Sequence, residues 1–242
     1  MNRSPEPLRL AAIGDLHVAE DMAAPYRDLF AEISGCADAL ALCGDLTNFG
    51  RPAEAELLAA GLSACRIPMV GVLGNHDCES GAAGDVARIL EGAGVRLLDG
   101  EATEIAGVGF AGVKGFIGGF GRGLLAAFGE PALKAVVQAS LEESLKLERA
   151  LQMLRTERIV VVLHYSPVAA TLIGEPPEIY PFLGNSRLAE TIDRFPAVRA
   201  VTHGHAHRGR HLGRTPGGAP VYNVARMVAQ AELGRPFALI EI

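Results

Sequence analysis

Apolar and polar positions alternate along this chain in blocks rather than singly. Five short apolar runs, "LRLAAIG", "ALALCGD", "PMVGVLGN", "RIVVVLH" and "AVRAVTHG", are bounded by Gly, Pro or Asp and have strand length. "RIVVVLH" is also rich in β-branched residues, which favour strands. Segments with helical spacing lie between the runs. Pro25 to Ser34 and Pro52 to Ala64 each open with a proline, a residue favoured in a first helical turn. Ala139 to Arg155 carries Leu141, Leu145, Leu147, Leu151 and Leu154 on a broad apolar face, with Glu142 and Lys146 spaced to pair on the other side. Ser186 to Phe195 predicts a further helix, capped by Ser186 or Asn185. Strands alternating with helices predict an α/β fold. At the C-terminus "RGRHLG", "APVYNVA" and "PFALIEI" follow one another with turns between them, which predicts an antiparallel meander with no intervening helix. Without an internal repeat or a disordered linker, residues 1–242 are expected to form one domain.

Residues 107–123, "GVGFAGVKGFIGGFGRG", hold eight glycines and include a GxGxxG match at Gly107 to Gly112. A dinucleotide loop needs a helix opening at those glycines so that its N–H groups meet the pyrophosphate. More glycine follows instead, and glycine is a poor helix former, so a flexible loop or strand edge near a site is expected. The apolar stretch 107–128 suits either an interface or core.

Apolar residues at 49% and charged residues at 21% suit a globular protein. The net charge of −6 argues against a broad phosphate-backbone footprint, so nucleic acid is not an expected partner. No apolar window reaches membrane-spanning length, and the short run near the N-terminus leads directly into Asp15 and His17 without the layout of a signal peptide. Cys36, Cys43, Cys65 and Cys78 form no CxxC pair. A cytoplasmic location with reduced thiols is the expectation.

The chemistry gathers where the apolar runs end. The first run ends in Asp15 and His17, the second in Asp45, the third in Asn75, His76 and Asp77, the fourth in His164, and the fifth in His205 and His207. In open α/β sheets the C-terminal edge of the strands is where sites are built. Asp15 and His17, like His205 and His207, are two apart, which on an extended backbone turns both side chains to one side. Glycines at 14, 44, 74 and 204 permit sharp turns beside them. Carboxylate, imidazole and amide oxygen without thiolate suit Mn, Fe or Zn in a catalytic rather than a closed structural site. An aspartate shared between two ions would hold them about 3.5–4 Å apart, the spacing of two-metal phosphoryl-transfer centres. Five of the seven histidines fall on these positions; His203 is left as a residue near the metals or in a loop, and His211 is expected in solvent.

The blocks Asp15-x-His17, Gly44-Asp45, Gly74-Asn75-His76-Asp77, His164 and Gly204-His205-Ala206-His207, in that order, resemble the calcineurin-like metallophosphoesterases. The resemblance implies two mixed β-sheets packed face to face and flanked by helices, a four-layer α/β/β/α sandwich. It implies that Asp15, His17, Asp45 and His207 hold one metal ion, and that Asp45, Asn75, His164 and His205 hold a second, with Asp45 bridging. His76 would not be a ligand but would protonate the leaving group or stabilise the phosphoryl oxygens, with Asp77 orienting it.

The activity implied is metal-dependent hydrolysis of a small-molecule phosphate ester, with a bridging hydroxide as nucleophile. A phosphodiesterase is the first reading and a phosphomonoesterase the alternative. A non-catalytic protein-binding scaffold of the same fold is disfavoured because every ligand and His76 are present. Protein phosphatases of the superfamily carry GDxVDRG, whereas this chain has "GDLTNFG", with Phe49 at the place of their arginine. Short bacterial phosphodiesterases look closer, although their HHPP block is "HYSP" here, which puts cyclic nucleotides in doubt. The Pro-rich "LIGEPPEIYPFLGNS" suggests a lip over the site, with Tyr165 or Tyr180 available to stack on a base or aryl group, or a plain connection with Tyr180 packed down.

Overall fold

A computed structural model describes residues 7–23 and 26–242. In chain order its elements are β1 (Arg9–Ile13), α1 (Arg27–Cys36), β2 (Ala39–Cys43), α2 (Pro52–Leu62), β3 (Met69–Val72), α3 (Ala83–Gly92), β4 (Val95–Leu97), β5 (Glu101–Ile105) and β6 (Val108–Val113). Then come α4 (Pro131–Met153), β7 (Ile159–Leu163), α5 (Tyr180–Leu183), α6 (Ser186–Ile192), β8 (Val198–His203), β9 (Leu212–Arg214), β10 (Pro220–Asn223), α7 (Arg226–Leu233) and β11 (Ala238–Glu241). The strands form two mixed sheets, in the orders β11-β1-β2-β3-β4 and β5-β6-β7-β8-β10-β9. β1 to β4 run parallel, as do β6, β7, β8 and β10, while β11, β5 and β9 pair antiparallel at or beside the edges.

Side-chain alternation divides the core into three apolar layers and so makes four layers of structure. In β1, Ala11 and Ile13 face Phe30 and Ile33 of α1, Leu58 and Leu62 of α2, and Leu90 of α3. Leu10 and Ala12 face the second sheet, where they meet the layer built by Val70, Val72, Phe110, Val160 and Val162. The far face of the second sheet, including Val113, Val161 and Leu163, packs on Leu147 and Leu151 of α4 and Leu188 and Ile192 of α6. Strands buried on both faces read as continuous apolar runs, which is why β2 and β7 were so plain in the sequence.

The structure corrects several expectations. The C-terminal segments do not form a meander. β9 and β10 make an antiparallel hairpin on the second sheet, α7 intervenes, and β11 crosses to pair with β1 of the first sheet. The short apolar repeat of α7 (Val228 and Ala229 buried) was hidden by its length of eight residues. Of the glycine-rich residues 107–123, 108–113 are neither loop nor strand edge but β6, an inner strand buried at every position, whereas 114–118 leave the sheet as the expected loop. Its glycines serve close packing: a Cβ at Gly112 would lie 2.9 Å from both Leu98 Cβ and Val72 Cγ1. α4 starts eight residues before Ala139, and Leu141 and Leu145 on its predicted apolar face are exposed. Lys146 pairs with Asp99 and Glu143, and Glu142 instead accepts from Gln138. Asn185 is the cap of α6, its side chain accepting from Arg187 N–H. Pro25 lies outside the described residues, and α1 begins at Arg27.

Candidate metal centre

The C-terminal ends of β1, β2, β3, β7 and β8 converge on one rim of the sandwich, and there the eight predicted residues meet. Three sets have ligand atoms within 4.8 Å of one another: Asp15, His17 and His207; His17, Asp45 and His76; Asp45, His164 and His205. Asn75 joins the last through Oδ1, 2.9 Å from His164 Nε2. The two oxygens of Asp45 divide between the sets. Oδ1 lies 3.3 Å from His164 Nε2, and Oδ2 lies 3.8 Å from His17 Nε2 and 3.9 Å from His76 Nε2.

The local backbone is bent to make this possible. Asp15 (φ 59), His17 (φ 46), Asp45 (φ 48) and His205 (φ 70) all occupy the left-handed region that side chains rarely adopt. Such strain of about 1–3 kcal/mol per residue persists only where the surroundings impose it, and it clusters at functional sites. Here the surroundings are visible. Asp15 carboxylate accepts from His205 N–H at 3.0 Å, and Asp45 Oδ1 accepts from His76 N–H at 2.9 Å. Gly74 and Gly204 leave room for these carboxylates, because a Cβ at either would collide with the Asp45 or Asp15 oxygens.

The donor set fits cations. Asp15 and Asp45 are buried, and the ion-pair partners they meet are imidazoles. Burial lifts the Asp15 carboxyl to about 6, against the hydrogen bond from His207. The His207 imidazole is raised in turn, first by that same bond (2.9 Å). Burial drives His17 down to about 4 and His205 to about 3, and holds His164 well below the usual imidazole range. These rings are therefore neutral, as metal ligands must be. His164 Nδ1–H donates to Cys43 carbonyl at 2.9 Å, which turns the Nε2 lone pair toward Asn75 Oδ1 and Asp45 Oδ1. Lone pairs converging without a proton between them are satisfied by a cation.

His76 differs from the others. Its Nδ1 donates to Asn48 carbonyl at 2.7 Å, and its side chain is partly open to solvent, with Nε2 on the Asp45 side. Asp77 does not orient it. Asp77 is fully buried and accepts from the N–H groups of Gly74, Leu46 and Thr47 and from the Thr47 hydroxyl, so it ties the turn after β2 to the turn after β3. Asn48 performs the orienting role through its backbone.

The model of the calcineurin-like phosphoesterase family matches residues 8–209. The chain belongs to the calcineurin-like phosphoesterase family. No curated protein matches the sequence. Among solved structures, a dimetal phosphatase from Danio rerio is similar with a TM-score of 0.66 at 13% identity, over 98% of this chain and 93% of that one. The phosphopantetheinyl hydrolase from Mycobacterium tuberculosis is similar with a TM-score of 0.63 at 16% identity, over 98% and 96% of the two chains. At these identities the likeness is one of fold.

Beyond the phosphoesterase motifs, the structure adds residues that the sequence reading missed. Asn223, at the end of β10, donates from Nδ2 to Ala206 carbonyl at 2.7 Å and so fixes the loop between His205 and His207. Its signal was available: "VYN" breaks from apolar to polar as the other strand ends do. His203 is buried between Gly204 carbonyl and Thr171 Oγ1, linking β8 to the segment after β7. His211 is not in open solvent; Nδ1 meets Asn223 carbonyl at 2.9 Å and its ring lies against Tyr222. The segment 169–185 does border the site, since His205 Nε2 meets Phe182 carbonyl at 3.2 Å. Tyr165 is not free to stack on a ligand, and Tyr180 follows the packed-down alternative. Tyr165 is 5% exposed against the His205 ring, and Tyr180 packs with Leu172 and Leu183.

Proposed function

We propose that this chain is a two-metal phosphodiesterase acting on a small phosphate ester. One observation carries the reading: the oxygens of one buried aspartate, Asp45, split between two ligand sets, with His76 Nε2 beside them. In this reading Asp15, His17, Asp45 and His207 hold one ion, and Asp45, Asn75, His164 and His205 hold the other. Two bound Mn, Fe or Zn ions would neutralise phosphate charge and acidify a water. The chain's own residues do the rest. The buried carboxylates and neutral imidazoles fix the phosphate position relative to His76. Asn48 carbonyl holds His76 Nδ1–H, so that the protonated ring donates from Nε2 to the departing alkoxide.

A diester, with one phosphate charge, suits the surroundings better than a dianionic monoester. Phe49 replaces the arginine of related phosphatases, and Arg51 is committed to Glu20 at 3.1 Å and to the Phe49 ring. Residues 1–242 then form a single catalytic domain, and four thiols outside any disulfide suit a cytoplasmic setting. No described helix is long and apolar enough to cross a membrane.

The test is a paired assay. Metal-stripped protein is reloaded with Mn²⁺ and offered an aryl phosphodiester and the matching monoester, alongside Asn75→Ala and His76→Ala. Metal-dependent diester turnover that falls in both variants is expected. Preference for the monoester selects the phosphatase alternative, and two bound metals without turnover of any ester select a scaffold.

A further inference from the structure

A cleft opens along one edge of the sandwich, between β4 of the first sheet and β5 of the second. It has a volume of about 390 Å³, within the range of small-molecule sites. Leu73, Ala87, Leu97 and Leu98 give it apolar walls, and α3 and α4 close its sides. One end borders the metal centre. Cys78, which lines the cleft, belongs to the same three-residue turn as His76. Lys114 lines it too, and its carbonyl accepts the N–H groups of His164 and Tyr165.

Four carboxylates, of Glu91, Asp99, Glu101 and Glu143, and two ammonium groups, of Lys114 and Lys146, line the cleft, and they are unequal in their pairing. Lys146 is held by Asp99 at 2.9 Å and by Glu143 at 3.0 Å. Glu143 is further engaged by Gly115 N–H. Lys114 is half-buried, and no carboxylate among the described residues lies within ion-pair distance of it. Its ammonium lies over the rings of Phe116 (5.0 Å) and Tyr165 (5.4 Å), with only a long contact of 3.4 Å to Gly115 carbonyl. A partly desolvated ammonium with no carboxylate in contact gains from an incoming anion.

We propose that this cleft receives the alcohol arm of the substrate, an extended and largely apolar chain that carries an anionic group met by Lys114. The proposal rests on the phosphodiesterase reading and deepens it. Water supplies the new P–O bond, the P–O bond to that arm breaks, and His76 delivers the proton to the departing alkoxide. His76 and Cys78 lie two residues apart on one turn, which brings the cleft close to the proton donor.

The test uses two variants and two readouts. Gly84 lines the cleft on α3, and a Cβ there meets nothing within 4 Å, so Gly84→Phe adds a ring at the cleft wall without a clash in the helix. Lys114→Met removes the charge at nearly constant length. Mn²⁺-loaded enzyme is given three methyl phosphodiesters whose second alcohol is ethanol, hexanol or 6-hydroxyhexanoate, and alcohol release is followed by chromatography. In Gly84→Phe the hexanol-to-ethanol ratio of kcat/KM is expected to fall about tenfold. In Lys114→Met the hydroxyhexanoate-to-hexanol ratio is expected to fall by a similar factor. Separately, octanoate is titrated into metal-free protein and followed by amide chemical shifts, which are expected to move at Ala83–Ala87, Leu97–Glu101 and Lys114 and to stay still in Gly84→Phe. Wild-type turnover with unchanged ratios in both variants overturns the arm subsite while leaving the phosphodiesterase reading intact. If no diester turns over, that reading fails and the subsite with it as a substrate site. Octanoate shifts away from the cleft overturn the proposal on their own.

Discussion

Asp77 shows how a residue can be legible in a motif and misread in its role. It follows His76 directly, and proximity suggested that it orients the ring. The carboxylate instead turns inward and collects three backbone N–H groups and a hydroxyl, because the turns after β2 and β3 leave those donors with no other partner. An amide at this position offers one acceptor oxygen and presents N–H groups to backbone donors. Asp77→Asn is therefore expected to destabilise the fold by about 1–3 kcal/mol, the cost of leaving buried polar groups unpaired. A thermal midpoint equal to that of the parent would refute the structural role. Asp45→Asn is the contrasting change. Asparagine tolerates the positive φ of this position, so the fold should survive. On the proposed two-metal reading a bridging charge is then removed, and turnover should drop by about two orders of magnitude or more, with fewer than two metals retained per chain by elemental analysis. The ligand types could be read from the sequence because each breaks an apolar run. The hydrogen bonds that aim them could not, since Asn48 and Cys43 act through carbonyls that every residue possesses.

At the scale of elements, the strands buried on both faces were the readable ones, and the glycine-rich β6 was not. Glycine suggests a loop when only local preference is weighed. In β6 it reflects what stands opposite: Gly112 faces Leu98 and Val72 across the interface between the sheets. No local pattern carries that information. Gly112→Ala should therefore cost about 1–3 kcal/mol by overpacking, since backbone and core side chains must shift. Gly35, in α1, has no atom within 4 Å of an added Cβ. Gly35→Ala should gain up to about 1 kcal/mol through helix propensity and a less flexible unfolded chain. Denaturant titration of the two variants reads the signs directly, and equal effects would contradict this account of the glycines. The C-terminal meander failed for a related reason. β11 is an ordinary apolar strand, and only the tertiary pairing with β1 removes it from the hairpin formed by β9 and β10.

At the scale of the molecule, the four layers followed from the order of strands and helices and from the family resemblance, but the electrostatic cost of the site emerges only from burial. Four imidazoles, of His17, His164, His203 and His205, are held neutral chiefly by desolvation, with His17 near 4 and His203 and His205 near 3. Their folded values lie below the unfolded value of about 6.5, so as pH falls the unfolded chain takes up four protons that the folded chain refuses. Two carboxyls act the other way. Asp15, raised to about 6, and Asp77, also raised by burial, accept protons when folded before they would when unfolded. The raised His207 likewise favours the folded state on acidification near neutrality. The four imidazoles outnumber these groups, and the metal-free fold should lose stability between pH 7 and 5, with a fall in the melting midpoint of about 5 °C or more. Scanning calorimetry of chelated protein across that interval checks it, and a midpoint that held steady or rose would show that the buried carboxyls dominate. Adding Mn²⁺ at pH 7 should raise the midpoint, since an ion bound by the folded chain alone stabilises it through mass action. The increment should vanish toward pH 5, where protons compete for the same nitrogen and oxygen lone pairs.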